Sequence, residues 1–250
     1  SLASNEQGYV SHKLEGQDLQ RFQKGHATAL GFTLSFYVKT NKTGLYTVSM
    51  FDRDNTRKVN GSYTVADANW NRYTISFPAD TTGKFDDDTS SSLEIFFNLY
   101  SGADTNTGTL YTAWQASADA GSTTGQVNFA DSTSNDWEIT GIQLEVGPQS
   151  TPFEHEPHSV TLKKCYRYFY KSHIYTLGLA NATTTGFSYR EERTQMHSLP
   201  AGQMRAAPTL TAITGVQSLS NGGVSVYGNI DHVVAYSDYY GGDLPNANYW

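Results

Sequence analysis

The chain is poor in residues that mark several common protein classes. It contains a single cysteine, Cys165, among 250 residues, so no disulfide can form within it, and the fold either needs no covalent staple or forms in a reducing compartment. No apolar run approaches the roughly 20 residues of a membrane-spanning helix. The first residues, 1–5, do not show the basic and apolar pattern of a secretory signal peptide. We therefore expect no membrane insertion and no secretion signal.

Charged residues are also scarce. Only 16% of the residues are charged, and the net charge is −7. Proteins that bind nucleic acids through the phosphate backbone carry an excess of Lys and Arg. The acidic balance therefore predicts that nucleic acid is not a partner.

Gly, Ser, Thr, Asn and Tyr are abundant instead, a composition typical of strands joined by turns. The clearest strand covers residues 33–39, in which Leu34, Phe36 and Val38 point one way and their neighbours the other. The same alternation predicts further strands at 45–50, 61–65, 70–77, 93–99, 109–114 and 137–146. No helical stripe of useful length interrupts them.

Seven or eight short strands favour an antiparallel sandwich or jelly roll, and their number does not distinguish a jelly roll from an immunoglobulin-like sandwich. Gly147 and Pro148 end the last strand, and an aromatic segment of different composition follows. The later segments 222–227 and 232–237 alternate cleanly, and the start of 160–172 predicts a helical turn. We therefore predict an all-β chain with an N-terminal jelly-roll β-sandwich at 1–148 and a connector with a second, smaller β domain at 149–250.

Several segments carry a more specific resemblance when they are taken in order. They are residues 14–16, 32–39, 70–83, 137–147, 151–154, 165–169 and 204–209. Together they resemble the carbohydrate-binding-module-like jelly rolls of bacteriophage virion proteins, notably tail fibres and related appendages, and the segments that follow this domain in such proteins.

This resemblance implies a non-enzymatic virion protein, such as a tail fibre, head fibre or decoration protein. By analogy with phage appendages, it implies a homotrimer whose partners are other virion proteins and, where the jelly roll has kept a binding surface, a host-surface glycan. Such jelly rolls often hold a structural calcium ion with an Asp pair in the last strand. Residues 139–142 contain no carboxylate, so we expect no such site. Two alternatives remain open: the carbohydrate-binding module of a secreted polysaccharide-degrading enzyme, and a capsular polysaccharide depolymerase.

Glycan binding requires aromatic faces that stack on sugar C–H groups, with amides or carboxylates nearby. The candidate residues are Tyr37, Tyr46, Tyr100, Tyr111 and Trp114. The first three are expected to line the outer surface of a sheet, and the last two flank a loop-rich region. The alternative is that these rings pack beneath loops or against a neighbouring subunit. Trp70 and Trp137, at strand starts, are predicted to be core anchors.

The aromatic tail of the chain provides the candidate assembly-interface residues. They are Tyr239, Tyr240, Tyr249 and Trp250. An interface between copies and a recognition surface both fit this composition.

Residues that could bind a metal or perform catalysis are dispersed. The densest set, 154–158, is bracketed by two prolines that are expected to hold it extended, so that its side chains diverge. The acidic segments 52–55 and 86–88 lack the ligand spacing of a calcium loop and are predicted to be solvated. No carboxylate pair or Gly-x-Ser-x-Gly motif anchors a catalytic set, and Cys165 is predicted to be buried. The sequence thus predicts no enzymatic activity, no metal and no cofactor.

Overall fold

The computed structural model describes residues 2–169 and five short strands beyond them. Those strands cover 182–183, 186–187, 197–198, 224–228 and 232–237. The chain divides into two compact units, Ser1–Glu154 and His155–Trp250. The first unit therefore extends through residue 154, whereas the sequence predicted a boundary after residue 148.

Eight strands build the first unit. In chain order they are β1 (Gln7–Glu15), β2 (Phe32–Thr40), β3 (Gly44–Asp52), β4 (Arg57–Val65), β5 (Asn71–Phe77), β6 (Ser91–Ser101), β7 (Gln115–Ala116) and β8 (Trp137–Val146). They form a five-stranded sheet in the order β1-β6-β3-β4-β7 and a three-stranded sheet in the order β5-β2-β8. Every pairing within them is antiparallel. Short 3₁₀ helices cover Gly16–Asp18, Gln20–Phe22 and Phe129–Asp131.

The strands predicted from alternation are confirmed as β2 to β6 and β8. The strand predicted at 109–114 is wrong, because regular pairing with β4 is limited to the two residues of β7. In the predicted segment, the Tyr111 carbonyl oxygen accepts a hydrogen bond from the Asn60 N–H at 2.7 Å, which is a loop contact at the edge of the sheet. Strand β1 was not predicted, because most of its side chains are exposed and its apolar alternation is weak.

The two sheets pack face to face over a core of alternate strand residues. Leu34, Phe36 and Val38 of β2 are fully buried, as their spacing predicted. The ring centre of Phe36 lies 5.1 Å from that of Tyr63 on β4 and 5.2 Å from that of Phe97 on β6, both in edge-to-face geometry. These contacts join the two sheets. The all-β character and antiparallel pairing predicted for this part of the chain are confirmed.

Gly61 lies where β4 packs closely against β5. A Cβ atom at this position would come within 2.3 Å of Ile75 Cγ2, far inside the separation at which two carbon atoms attract. The packing of the two sheets therefore requires glycine here, and a larger residue would separate β4 from β5.

Residues 147–154 fold back over the outer face of the three-stranded sheet. Thr33 Oγ1 donates a hydrogen bond to the Gly147 carbonyl oxygen at 2.7 Å, and Ser76 Oγ donates to that of Pro148 at 3.2 Å. Thr33 is fully buried as a result. The segment that the sequence assigned to a connector is thus part of the first unit.

Arg72 strengthens this attachment from β5. Its guanidinium group donates to the Thr151 carbonyl oxygen and, at 3.1 Å, to the hydroxyl of the fully buried Ser35. We call the outer face of the three-stranded sheet, where these residues attach, the covered face. It consists of Thr33, Ser35, Tyr37, Arg72, Thr74, Ser76, Gln143 and Glu145 with residues 147–154 over them.

A buried ion cluster joins three loops of the first unit. The Lys24 ammonium group donates to Asp52 Oδ2 at 2.5 Å and lies 3.1 Å from Asp80 Oδ2. It also donates to the carbonyl oxygens of Thr82 and Gly83, at 2.9 and 3.0 Å. The three charged side chains are at most 5% exposed. Because an unpaired buried charge is strongly unfavourable, these contacts hold the loops together.

Arg57 completes the cluster at the start of β4. Its Nε donates to Asp80 Oδ2 at 2.8 Å and its Nη2 to Asp80 Oδ1 at 3.1 Å. Burial alone would raise the pKa of Asp80. Hydrogen bonds from Arg57, the Thr82 N–H and Lys24 outweigh burial and hold the pKa below its ordinary value of 3.8. Asp80 therefore stays ionised within the cluster at neutral pH.

Asp52 also shapes the turn between β3 and β4. Its Oδ1 accepts hydrogen bonds from the N–H groups of Asp54 and Asn55, both at 3.0 Å. The prediction that residues 52–55 are solvated is wrong at Asp52, which is fully buried, because Lys24 compensates its charge.

The second unit begins with helix α1 (His158–Tyr166). Its described strands are β9 (Ala182–Thr183), β10 (Gly186–Phe187), β11 (His197–Ser198), β12 (Val224–Gly228) and β13 (His232–Ser237). Strand β9 pairs with β10, and the other three form a sheet in the order β11-β13-β12, all antiparallel. The helical turn and the two cleanest strands predicted from the sequence are confirmed as α1, β12 and β13.

Cys165 lies near the end of α1 and is exposed. The prediction that it is a buried apolar residue is therefore wrong, because the helix presents this side chain to solvent. Within the described residues, no helix has the length and apolar character needed to cross a bilayer.

Candidate functional site

Tyr46, one of the five predicted glycan-binding residues, lies in the core. It is fully buried, its ring stacks on that of Tyr63 with centres 5.5 Å apart, and its hydroxyl donates to the Lys42 carbonyl oxygen at 2.8 Å. Burial raises the pKa of this hydroxyl. The prediction that Tyr46 lines an outer surface is wrong, because it has the same parity along β3 as the buried Val48 and Met50.

Trp114, a second predicted binding residue, is also a core residue. It is 9% exposed, and its indole N–H donates to the Pro78 carbonyl oxygen at 3.0 Å. The Lys24 ammonium group lies 5.1 Å from the ring centre, a cation–π distance. The prediction that Trp114 can stack on a sugar is wrong, because its ring instead forms part of the wall around the buried ion cluster.

The other three predicted residues point outwards from different places. Tyr37 lies on the covered face, with the Arg72 guanidinium 6.0 Å from its ring centre. Tyr111 lies in the loop beside β4, and its ring packs on Gly121. Tyr100 lies at the end of β6, on the outer face of the five-stranded sheet. The structure therefore does not bring the five candidates together.

The two tryptophans predicted as core anchors have different environments. Trp137 is half-buried and its ring centre lies 6.2 Å from that of the core residue Phe97, as predicted. Trp70 is 44% exposed, with the Lys39 ammonium group 6.0 Å from its ring centre. The prediction is wrong for Trp70, because it immediately precedes β5 and points away from the core. The predicted assembly residues Tyr239, Tyr240, Tyr249 and Trp250 lie outside the described residues.

The outer face of the five-stranded sheet carries large aromatic and charged side chains. Cross-strand register places Lys13, Glu94, Phe51 and Lys58 in one row across β1, β6, β3 and β4. Cross-strand partners share a face of the sheet. We call the solvent-accessible part of this surface the open face. It is lined by Tyr9, Ser11, Lys13, Phe51, Arg53, Lys58, Glu94, Phe96 and Tyr100.

Aromatic rings form the apolar part of the open face, and three of the four, those of Tyr9, Phe96 and Tyr100, lie on β1 and β6. Tyr9 is 48% exposed and contacts Phe96 edge-to-face, with ring centres 4.8 Å apart. The half-buried Tyr100 lies over the backbone of Gly8, where a Cβ atom would come within 2.1 Å of the ring. Glycine at this position makes room for the ring. Rings held in this way lose little conformational freedom when a ligand binds.

A salt bridge lies beside the rings. Arg53 Nη1 donates to Glu94 Oε2 at 2.6 Å, and the Glu94 side chain is only 6% exposed. Lys13 of β1, the cross-strand partner of Glu94, is exposed. Among the described residues, no carboxylate oxygen lies within 4.0 Å of the Lys13 ammonium group.

Lys58 supplies a half-buried cation at the other end of the same row. Its ammonium group donates to Ser122 Oγ at 3.1 Å and lies 6.0 Å from the ring centre of Phe51. Burial lowers the pKa of Lys58, and the charge of Asp119 opposes this effect only in part. Within the described part of the chain, Lys58 forms no salt bridge.

The segment between β6 and β8, which includes β7, covers the part of the outer face of the five-stranded sheet that adjoins the open face. Gln126 Oε1 accepts a hydrogen bond from the Thr47 N–H at 3.1 Å. Asn98 Nδ2 donates to the hydroxyl oxygens of Thr47 and Ser49, at 3.1 and 3.0 Å. These polar groups are therefore bonded within the chain, and they set the boundary of the open face.

The potential metal ligands do not form a site in the described residues. No group of three or more His, Cys, Asp or Glu side chains in that part of the chain could hold an ion. Within the set of potential ligands at 154–158, which the sequence predicted to diverge, Glu156 forms a salt bridge with Lys164, and His158 begins α1.

A depression of about 600 Å³ beside β8 is a weaker candidate. It is lined by Arg21, Gln143, Leu144, Glu145, Val146, Thr151 and Glu154, none of which is aromatic. The Glu145 carboxylate already accepts hydrogen bonds from the Thr151 N–H and hydroxyl, at 3.0 and 2.6 Å. Its strongest acceptor is thus occupied by the chain.

Comparison with known proteins gave no match to a family model, to a curated protein or to a solved structure. The resemblance to phage appendage proteins therefore stays a prediction from the sequence segments described above, and the candidate site depends on its own geometry.

Most of the open face was missed in the sequence. A weak signal was present in β1, where Tyr9, Ser11 and Lys13 alternate with Val10, His12 and Leu14. The pairing of β1 with β6 brings this strand beside Glu94 and Phe96. That long-range pairing has no signature in either strand alone.

Proposed function

We propose that the chain is a non-enzymatic phage virion protein, part of a fibre or decoration appendage, whose first unit is a jelly roll that binds a host-surface glycan through the open face. The order of strands supports the jelly-roll assignment. Successive segments of the chain pass between the two sheets: β1, β3, β4, β6 and β7 belong to one, and β2, β5 and β8 to the other.

The observation that carries the proposed glycan binding is the juxtaposition on the open face. An exposed Tyr9 ring, supported by Phe96, lies on the same face as the Glu94–Arg53 salt bridge. A sugar presents apolar C–H groups and hydroxyl groups together, so a site for it combines aromatic side chains with a few polar groups. The open face offers both on strands whose backbone is fixed by pairing.

Glycan binding can be tested with an array of bacterial surface polysaccharides and with host cells. We expect the purified protein to be retained by at least one of these glycans and to adsorb to cells that display it. Retention by none of them, together with no adsorption to host cells, would contradict the proposed glycan binding. Release of oligosaccharides from a bound polysaccharide would instead favour the depolymerase alternative.

We further propose that the second unit is a β domain that assembles the protein into homotrimers. Four apolar side chains of α1 and the residues after it are at least 38% exposed, which is typical of a surface that another chain covers. They are Val160, Leu162, Tyr168 and Phe169. Light scattering should give a mass three times the 27.6 kDa of one chain. A monomer would argue against this assembly, and labelling the protein on intact particles would test its place in the virion.

A further inference from the structure

We infer that the open face selects acidic glycans, in which the sugar units carry carboxylate or sulfate groups. This inference rests on the proposed glycan binding and specifies its ligand. It comes from the balance of charges on the open face, from their spacing across the sheet and from the environment of Lys58.

The open face is cationic although the chain as a whole is acidic. It holds three cations, Lys13, Arg53 and Lys58, and one carboxylate, that of Glu94. Arg53 and Glu94 neutralise each other in their salt bridge, and Asp119 in the neighbouring loop compensates Lys58 only in part, so the two lysines leave an excess of positive charge. The net charge of the chain is −7, and the accumulation of cations on this face is therefore a local property.

The two lysines lie at opposite ends of one row. Strands β6 and β3 separate β1 from β4, so the backbones of Lys13 and Lys58 are three strand spacings apart, roughly 14 Å. Glu94 and Phe51 lie between them in the same row. An oligosaccharide that crosses the strands can place one anionic group near each lysine and its rings over the aromatic side chains.

Lys58 is a half-buried cation whose charge is compensated only in part, by the nearby carboxylate of Asp119. An ammonium group has three N–H donors, and the described contacts of Lys58 are one hydroxyl acceptor, Ser122, and the face of the Phe51 ring. Burial disfavours its charged form, as the lowered pKa shows. An anion on a bound sugar would supply a charge-assisted hydrogen bond and stabilise that form. A neutral sugar hydroxyl would do so less strongly.

The test uses the full-length protein and matched pairs of polysaccharides that differ in charge. Suitable pairs are hyaluronan and its carboxyl-reduced form, polygalacturonate and its methyl ester, and dextran sulfate and dextran. The first two pairs report on carboxylates and the third on sulfates. The double substitution Lys13→Gln/Lys58→Gln removes two cations from the open face. The matched control, Lys84→Gln/Lys163→Gln, removes two exposed cations elsewhere and changes the net charge equally.

We expect the wild-type protein to bind at least one acidic polysaccharide about tenfold or more tightly than its neutral partner. The open-face variant should lose most of that difference, and the control should change the affinity by less than about twofold. A thermal melt of each variant establishes that it is folded. Equal loss in both variants would show unspecific attraction and overturn the inference.

The remaining outcomes separate this inference from the proposed function. Binding of neutral and acidic partners with equal affinity would overturn the acidic preference while glycan binding stands. No binding to any of these polysaccharides, nor to any glycan of the bacterial array, would overturn both.

Discussion

The two outer faces of the first unit differ in how the chain uses their polar groups. On the covered face, small hydroxyl residues such as Thr33 and Ser76 donate hydrogen bonds to residues 147–154, and the surface is closed. On the open face, Tyr9 is exposed and Lys58 has one hydroxyl as its described hydrogen-bond partner. One face uses its hydrogen-bonding capacity for stability, and the other keeps it accessible.

The comparison of the two faces shows which property separates a candidate binding surface from a closed one. Aromatic content alone does not distinguish the faces, since Tyr37 lies on the covered face and Tyr100 on the open one. What distinguishes them is whether the chain itself already provides the partners of the charged and polar groups. The following predictions begin with the buried ion cluster of the same unit and then test this distinction.

The largest effect is expected for the buried ion cluster that joins the loops between the sheets. Lys24→Met leaves the Asp52 carboxylate buried without its cation, and removing one partner of a buried ion pair costs about 3–5 kcal/mol. Urea denaturation should show this loss in the free energy of unfolding. Lys84→Met, a substitution of an exposed lysine, serves as the control and should change it by less than about 0.5 kcal/mol.

Addition of Asp52→Asn to Lys24→Met tests the reason for this effect. If the uncompensated charge causes the loss, the double variant should regain part of the stability. A double variant less stable than Lys24→Met would show that the packing of the lysine side chain matters more than its charge.

The next effect concerns the attachment of residues 147–154 to the covered face. Arg72→Met removes the donor to the Thr151 carbonyl oxygen and to the buried Ser35 hydroxyl. Loss of these hydrogen bonds should lower the free energy of unfolding by about 1–2 kcal/mol without a change in glycan affinity. Lys13→Met on the open face should show the reverse pattern. A large loss of affinity in Arg72→Met would break the proposed division between the faces.

A pair of tyrosine substitutions compares the faces directly. Tyr9→Ala should weaken glycan binding about tenfold, as expected for an aromatic contact residue, with little loss of stability because Tyr9 is exposed. Tyr37→Ala should lower the melting temperature and leave binding unchanged, because Tyr37 packs against Arg72 and Gly141. Binding is measured by interferometry on the retained glycan. Equal effects of the two substitutions on binding would contradict the assignment of the site to the open face.

The smallest effect is a pH dependence that arises from Asp80. Its pKa in the folded protein lies below the ordinary value of 3.8, so its interactions contribute stability above that pH and lose it as the pH falls through the folded pKa. Asp80→Asn should therefore be less stable than the wild type at pH 7, and the difference should shrink below pH 3.8. Urea titrations at several pH values measure it, and a difference that stays constant down to pH 3 would exclude this origin.

The sequence predicted the strands with one side buried in the core better than the exposed or very short strands. Alternation identified β2 and β8 because one side of each faces the core, and burial imposes a period of two. Strand β1 was missed because most of its side chains are exposed on both sides of the strand, so burial imposes no period on its sequence. The two residues of β7 are too few to show a period.

The candidate site was less predictable, for reasons that particular residues illustrate. The parity of Tyr46 with Val48 and Met50 was readable and would have placed it in the core. The covered face could not be predicted from the sequence, because Thr33 and Gly147 are far apart in the chain and meet only after the sheet has formed. For the same reason, the charge partners of Asp52 could not be deduced from a loop that looks solvated.

Lys24 has one more consequence for this unit. Its ammonium group occupies a cage of carboxylate and carbonyl oxygen atoms, the kind of donor set that proteins often fill with a divalent ion. Here the counterion is part of the polypeptide. It cannot be extracted by a chelator or diluted away, so these loops carry their own cation in any medium, whatever its mineral content.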